Sequence, residues 1–452
     1  MNLGPLGRVT PRRRPPAPAT HAAVDADAAP APAGATFRAL RNRNYRLFYT
    51  GQIVSLCGTW MQTIAQAWLV IDLTDSKVAL GTVTMLQFLP ITMFVLFAGV
   101  IADRVPKRNF LVATQSLAMV QALLLAALVF SGAVELWHVY VLAFVLGVAN
   151  AFDQPTRQAF VVEMVGREDL MNAVALNSGM FNAARLIGPS LGGFVIAAFG
   201  VKTAFLLNGI SFIPVILALL MIDASKLHTP AQRREGRINP LAELREGIAY
   251  AFTTPAALLI VILVAIIGTF GYNFTVFTPL LARYVVDGGE VALGFMTAAV
   301  GLGALISALL LARRTSAARG TLFGGAIAFS VLLAAAGVSQ WLALSLLFLV
   351  LLGVANTAFA STANTSMQLA TPDRLRGRVM AVYMLLFAGS TPVGGYLTGL
   401  MAEQFGVSTA LVIEAAVCLA GAGIGLAYYL RHRSRVDEGA DIRGEVKAAT
   451  RV

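Results

Sequence analysis

Twelve stretches of this chain are long and apolar enough to cross a membrane, and this constrains the fold more than any motif does. They lie near 45–71, 78–101, 109–131, 137–157, 170–198, 201–222, 256–286, 291–312, 317–338, 341–365, 376–401 and 406–430. About 20 helical residues cover roughly 30 Å of hydrocarbon. In that medium each backbone amide has to be satisfied within its own segment, so each run folds as a helix. Composition agrees: 57% of residues are hydrophobic, 13% are charged, and mean hydropathy is +0.74, outside the range of soluble globular domains. The expected fold class is an all-α membrane protein with twelve transmembrane helices.

A net charge of +11 would suit a nucleic-acid binder, but its distribution excludes that partner. With both termini on one side, all but four of the 34 Lys and Arg residues fall on that side. Lys77, Lys202 and Arg283 lie opposite, and Arg185 lies inside a span. This asymmetry is the positive-inside bias, which places both termini in the cytoplasm. Cys57 and Cys418 both fall within spans and the four histidines fall in loops or tails, so neither a disulfide framework nor a metal cluster is expected. There is no GxxxxGK[ST] loop and no nucleophile motif. The sequence therefore points away from an enzyme and calls for no cofactor.

The chain divides into five parts. Residues 1–36 are rich in Pro and Ala and read as a disordered cytoplasmic tail. Residues 37–222 hold six spans, and 223–255 form a basic cytoplasmic linker. In that linker Asn239-Pro240 is a good helix start, and Leu241, Leu244, Ile248 and Phe252 give an amphipathic helix for the inner membrane surface. Residues 256–430 hold six more spans, and 431–452 form a second tail. The two six-span parts look related. Gly147-Val-Ala-Asn150 recurs as Gly353-Val-Ala-Asn356 and Phe199-Gly-Val201 recurs as Phe405-Gly-Val407, at the same offset. Pro189 with Gly192-Gly193 has a looser counterpart in Pro392 with Gly394-Gly395.

Polar groups inside such spans are costly, so each needs a reason. Span 1 carries Thr59, Gln62, Thr63 and Gln66 on one face; two readings stand, hydrogen bonds between helices or the lining of a cavity. Span 5 carries Asn182 and Arg185, then Gly188-Pro189-Ser190-Leu191-Gly192-Gly193. A charge at the depth of Arg185 costs about 2.5–3.5 kcal/mol. It is explained equally by an ion pair with Glu414 of span 12 or by an anionic substrate. Charges also gather where spans 2 and 4 reach the basic side. Gly99, Asp103, Arg104, Lys107 and Arg108 surround the loop after span 2, and Asp153 and Arg157 stand four residues apart at the end of span 4. A lone acid among bases beside a small residue suits a latch between moving parts, with Asp153 pairing with Arg104 or Arg108 across the inner face. Residues 158–169 read as a surface connector.

The decapeptide Gly99–Arg108 resembles the loop between the second and third helices of the major facilitator superfamily, with Pro106 where that pattern prefers Gly. The Gly188-Pro189-x-x-Gly192-Gly193 core resembles the fifth-helix motif of exporters in the same superfamily, although Ala175 and Ala184 stand where Gly usually does. The resemblance covers residues 37–430 and is nearest the bacterial branch of enterobactin exporters and drug-efflux proteins. It implies two six-helix bundles that rock about a midplane site. It also implies that spans 1, 4, 7 and 10 line the cavity, making Tyr272, Asn273 and Asn356 binding candidates beside Gln62, Gln66, Asn182 and Arg185. Amides, hydroxyls and one cation among many Phe and Met residues suit a bulky amphipathic ligand. The resemblance thus implies a carrier in the bacterial inner membrane. It would export a siderophore-like or drug-like small molecule, in exchange for protons, with the lipid bilayer as its other partner; an importer or uniporter of the same fold, or a non-transporting membrane sensor, is the alternative reading.

Overall fold

A computed structural model describes residues 35–228, 240–311 and 319–437. Residues 1–34 and 438–452 of the tails, Asn239, the bases at 312–314 and the side chains of Gly99, Asp103, Arg104 and Leu241 lie outside the described set. Twelve spans long and apolar enough to cross a membrane are present, and the described residues contain no strand. The first six spans are the single helices α1 (Arg43–Thr74), α2 (Lys77–Arg104), α3 (Lys107–Phe130), α4 (Leu136–Val165), α5 (Leu170–Phe199) and α6 (Val201–Met221). A linker helix α7 (Pro240–Thr253) precedes the second half. That half comprises α8 (Pro255–Gly271), α9 (Phe274–Tyr284), α10 (Gly289–Leu311), α11 (Arg319–Val338), α12 (Leu342–Leu369), α13 (Arg376–Phe387), α14 (Thr391–Phe405) and α15 (Val407–Arg431). The end holding the Arg104–Lys107 turn is called the base-rich end below, and the end holding the Thr74–Lys77 turn the far end.

Helix starts are set by ordinary capping chemistry. The side chain of Asn42 accepts the Tyr45 amide at 3.2 Å and that of Ser76 accepts the Ala79 amide at 3.2 Å, each satisfying an orphan donor. The two Phe-Gly-Val repeats mark equivalent corners. Gly200 and Gly406 adopt φ of +78° and +83° between α5 and α6 and between α14 and α15, a region that glycine enters without steric cost. The Gly-Val-Ala-Asn repeats are equivalent too. Gly147 brings α4 against the Gln87 carbonyl of α2, and Gly353 brings α12 against the Val300 carbonyl of α10.

Three expectations need correction. Residues 158–165 are not a separate connector, because α4 runs through Pro155 to Val165. The stretches 256–286 and 376–401 are not continuous helices. Span 7 breaks between α8 and α9 at Tyr272 and Asn273, and span 11 breaks between α13 and α14 at 388–390, just before Pro392. In addition, α7 does more than present an apolar face to lipid. Gly247 packs on the Arg378 backbone, Arg378 binds Glu243 and Glu246, and the Tyr250 hydroxyl donates to the Ala370 carbonyl at 2.7 Å. Its Ile248 and Phe252 remain exposed.

The halves meet along two glycine seams. Between α5 and α10, a Cβ on Gly193 would lie 2.8 Å from the Glu290 carbonyl oxygen, and one on Gly294 would lie 2.7 Å from that of Pro189. Between α2 and α14, a Cβ on Gly81 would lie 2.7 Å from the Gly395 carbonyl oxygen, and one on Gly399 would lie 2.5 Å from that of Lys77. Small residues permit backbone approach of this kind in membranes, where helix association depends on van der Waals packing. Gly399→Val should force the second seam apart at the far end. In a background lacking Cys57 and Cys418, a single cysteine placed at Lys77 should then react faster with an impermeant maleimide.

Candidate transport site and gates

At the base-rich end the charges are satisfied within the first half. Asp153 (3% exposed) accepts both Nε (3.0 Å) and Nη2 of Arg157, and also the Thr114 hydroxyl at 3.0 Å and the Gln115 amide at 2.7 Å from α3. It does not reach Arg108, which instead donates to the Leu219 and Leu220 carbonyls at 2.7 and 2.5 Å and so caps α6. A cation is favoured at that negative helix end. Lys107 pairs with Glu163 of α4 at 2.7 Å. The single network expected across the inner face is therefore replaced, among the described side chains, by three local ones.

The span 1 stripe also resolves toward packing. Gln62 (2% exposed) donates to Gln121 of α3 at 3.0 Å and accepts from Asn208 of α6 at 2.6 Å, and Gln66 donates to Gln87 of α2 at 2.9 Å. Neither is free to line a cavity in this conformation. Asn182 donates to the Ser178 carbonyl of its own helix at 2.8 Å. Gly188 and Gly192 press α5 onto Cys57, Trp60, Met61 and Ile64 of α1, while Gly193 faces α10. The helix-5 motif thus lets one helix touch both halves, and α5 runs through Pro189 unbroken.

At mid-depth Arg185 points from α5 across the join between the halves. Its guanidinium lies 5.7 Å from the Trp60 ring of α1 and 6.0 Å from the Phe274 ring of α9. No carboxylate among the described residues lies within ion-pair distance of it. Glu414, the expected structural partner, bonds instead to Thr398. The second half supplies an aromatic cluster around the span 7 break. Tyr272 meets Phe387 at 4.7 Å, Phe329 at 6.0 Å and Phe274 at 6.1 Å between ring centres, and Tyr383 stacks on Phe387 at 5.8 Å. The Tyr272 hydroxyl donates to the Asn356 carbonyl at 3.4 Å, and Asn273 donates to the Thr269 carbonyl at 2.9 Å. The side-chain oxygens of Asn273 and Asn356 are buried without a partner. Of the candidate binding residues, Arg185, Tyr272, Asn273 and Asn356 come together; Gln62 and Gln66 do not.

A set of residues at the far end escaped the sequence reading. The Lys77 amide donates to Glu403 at 2.7 Å, and the Tyr284 hydroxyl donates to Asp75 at 2.6 Å. Lys77 also lies over the Tyr284 ring at 4.4 Å, and Arg283 over the Trp68 ring at 5.7 Å. Each contact joins one half to the other. Among the described residues these are the hydrogen bonds between the halves, so the pair is tied at the far end. The available signal was the position of the few far-side charges, which all stand at span ends.

A family model described as transmembrane secretion effector matches residues 34–445. The chain belongs to this family of the major facilitator superfamily. It is 25% identical to the staphyloferrin A transporter of Staphylococcus aureus, an alignment covering 80% of this chain and 90% of that protein. It is 28% identical to the multidrug efflux pump Tap of Mycolicibacterium fortuitum, with the same shares covered. It is 24% identical to the enterobactin exporter EntS of Shigella boydii, covering 78% and 84%. These relatives are transporters, not enzymes. Among solved structures, a bacterial homologue of the human lysosomal transporter Spinster superposes with a TM-score of 0.66 at 12% identity, covering 88% of this chain and 98% of that one. The nucleoside transporter NupG gives a TM-score of 0.67 at 13% identity, covering 85% and 99%. At such identities the likeness bears on the fold alone. The protein is accordingly a multi-pass membrane transporter.

Asp153→Ala should leave Arg157 partly buried without its acid and lower the stability of the first half by about 3 kcal/mol. Gln62→Leu, which orphans the Asn208 amide, should cost about 1–3 kcal/mol. Both are read as lower melting temperatures of the purified protein in detergent.

Proposed function

We propose that the protein is a secondary active transporter that exports an amphipathic small molecule, siderophore-like or drug-like, from a bacterial cytoplasm by proton antiport. The base-rich end then faces the cytoplasm, by the positive-inside rule, and both termini lie there. In this reading, hydrogen bonds between the halves at the far end would belong to a state closed on the outer side. The loop cluster around Asp103 remains the candidate latch of the opposite state; of the helix-5 motif, Gly188 and Gly192 hold α5 to α1 within the first half, and Gly193 with the Pro189 carbonyl forms the contact with α10 that each cycle would alter.

The observation that carries this reading is Arg185, a mid-membrane cation held over two aromatic rings with no acid among the described residues to neutralise it. A charge so placed is expected to serve function. The chemistry it fits is an anionic group, with planar or apolar surface for Trp60, Phe274 and Tyr272 to stack on. The unpartnered oxygens of Asn273 and Asn356 are buried in this conformation and would accept from a ligand's hydroxyls only in a state that uncovers them. Staphyloferrin A, enterobactin and multidrug substrates of the relatives support the substrate class. The direction rests on the efflux and export relatives and the helix-5 resemblance, since the motif's contacts are neutral as to direction.

The decisive measurement compares small molecules inside and outside cells with and without the gene. Export predicts a compound that builds up inside and vanishes from the medium on deletion; the reverse pattern would establish import. Once that compound is named, Arg185→Ala should weaken its binding roughly 10- to 100-fold, as expected for a lost charge-assisted hydrogen bond of about 1.5–3 kcal/mol. Arg185→Lys, which keeps the charge but not the planar stacking surface, should fall between.

A further inference from the structure

Among the described residues one carboxyl group is fully sealed in the membrane interior, that of Glu414 of α15, which is 0% exposed. One carboxyl oxygen is bonded to the Thr398 hydroxyl of α14, and the other, Oε2, has no partner. The elements packed on α15 leave it without a counter-charge. Helix α8 contains no ionisable residue. Helix α11 has only Arg319, at its base-rich start. Helix α9 has Arg283 and Tyr284, and α14 has Tyr396 and Glu403, with all but Tyr396 at the far end. On α15 itself the nearest ionisable side chain is Cys418, one turn on, and Tyr428, Tyr429 and Arg431 lie near its other end.

The hydrogen bonding distinguishes the two protonation states. The Thr398 hydroxyl has one hydrogen and two neighbours, Glu414 and the Gly394 carbonyl at 2.9 Å. A protonated Glu414 donates to Thr398, which donates to Gly394, so every hydrogen in the row has an acceptor and only a neutral carbonyl oxygen, Oε2, is left unpaired. An ionised Glu414 takes the Thr398 hydrogen, leaves a bare charged oxygen at Oε2 and has no cation to offset it, an arrangement costing several kcal/mol. The conformation seen here therefore suits the neutral acid.

Helix α14 forms the wall in front of that acid. Helix α14 carries Thr398 on one side and the seam with α2 on the other, where Gly395 abuts Thr84 and Gly399 abuts the Lys77 carbonyl. Glu414 stands seven residues into α15 from the far end, about 10 Å deep. On its inner side, Cys418 Sγ lies 3.4 Å from where a Cβ of Gly271 would be, beside the span 7 break that opens on Tyr272. From this placement we infer that Glu414, with Thr398, is the proton-binding site of the carrier, charged from the far side when the α2–α14 seam parts and discharged past the span 7 break. The step is a plain proton transfer: a carboxylate oxygen gains a proton from water on one side and returns it to water on the other. This deepens the antiport reading above and rests on it for the direction of flow.

The test follows the proton rather than a transported compound. Infrared difference spectra of the full chain in liposomes should contain a protonated-carboxyl C=O band at neutral pH. The band should be lost in Glu414→Gln and kept in Glu163→Gln, whose acid is ion-paired at the surface. It should shift in frequency in Thr398→Val, which removes the acceptor. It should also disappear on alkaline titration, and at lower pH or faster in Gly399→Val, whose seam is opened. No difference between wild type and Glu414→Gln at neutral pH overturns the proposal. So does a band that neither titrates nor exchanges in deuterated water in either background, which would make Glu414 a fixed structural acid. Because these spectra do not depend on export, a failure of antiport is seen separately, as export that persists in cells after a protonophore collapses the gradient.

Discussion

Backbone resting on backbone is the contact on which this structure depends. In hydrocarbon there is little hydrophobic force to draw one helix onto another, so the halves hold only where they come close enough for dispersion to accumulate. Glycines supply that closeness along α2–α14 and α5–α10. The α5–α10 seam also sets the site. Further down α5, the Arg185 carbonyl oxygen lies 3.3 Å from where a Cβ of Gly301 would be, so the helix that meets α10 is the one that aims the guanidinium between the halves.

The charges sort by depth into three groups with different work. At the base-rich end the described pairs, Asp153 with Arg157 and Lys107 with Glu163, stay within one half and stiffen it. At mid-depth the Arg185 cation rests on rings from both halves. At the far end Lys77, Asp75, Tyr284 and Glu403 reach across.

Much of this was legible in the sequence, for identifiable reasons. Hydropathy located the spans because length and apolarity are local properties. The Gly-Val-Ala-Asn and Phe-Gly-Val repeats carried the relation between the halves because each marks a packing or turning point that only small residues allow. The Asp153–Arg157 pair was readable because both residues lie on one helix. What failed needed a second helix. A polar stripe does not say which neighbour it meets, so the Gln62 amide found Gln121 and Asn208 rather than a cavity. The break at Tyr272 and Asn273 has no proline or glycine pair within it, and Pro392 gave no hint that span 11 stops at 388. Glu414 was visible as a deep acid, but its partner Thr398 lies on a helix whose register could not be foreseen.

The glycine seams have one more consequence, in entropy. An interface of long side chains freezes their rotamers each time it forms, at up to about 1.5–2 kcal/mol for each of the most flexible residues. Glycine has no rotamers to lose. A seam between Gly81, Gly395 and Gly399, or between Gly193 and Gly294, can therefore close and part with little change in side-chain disorder, and its balance is set by short-range attraction that vanishes within an ångström or so. Such a joint is crisp in its closed position and easily released, the two properties a carrier asks of a contact remade in every cycle.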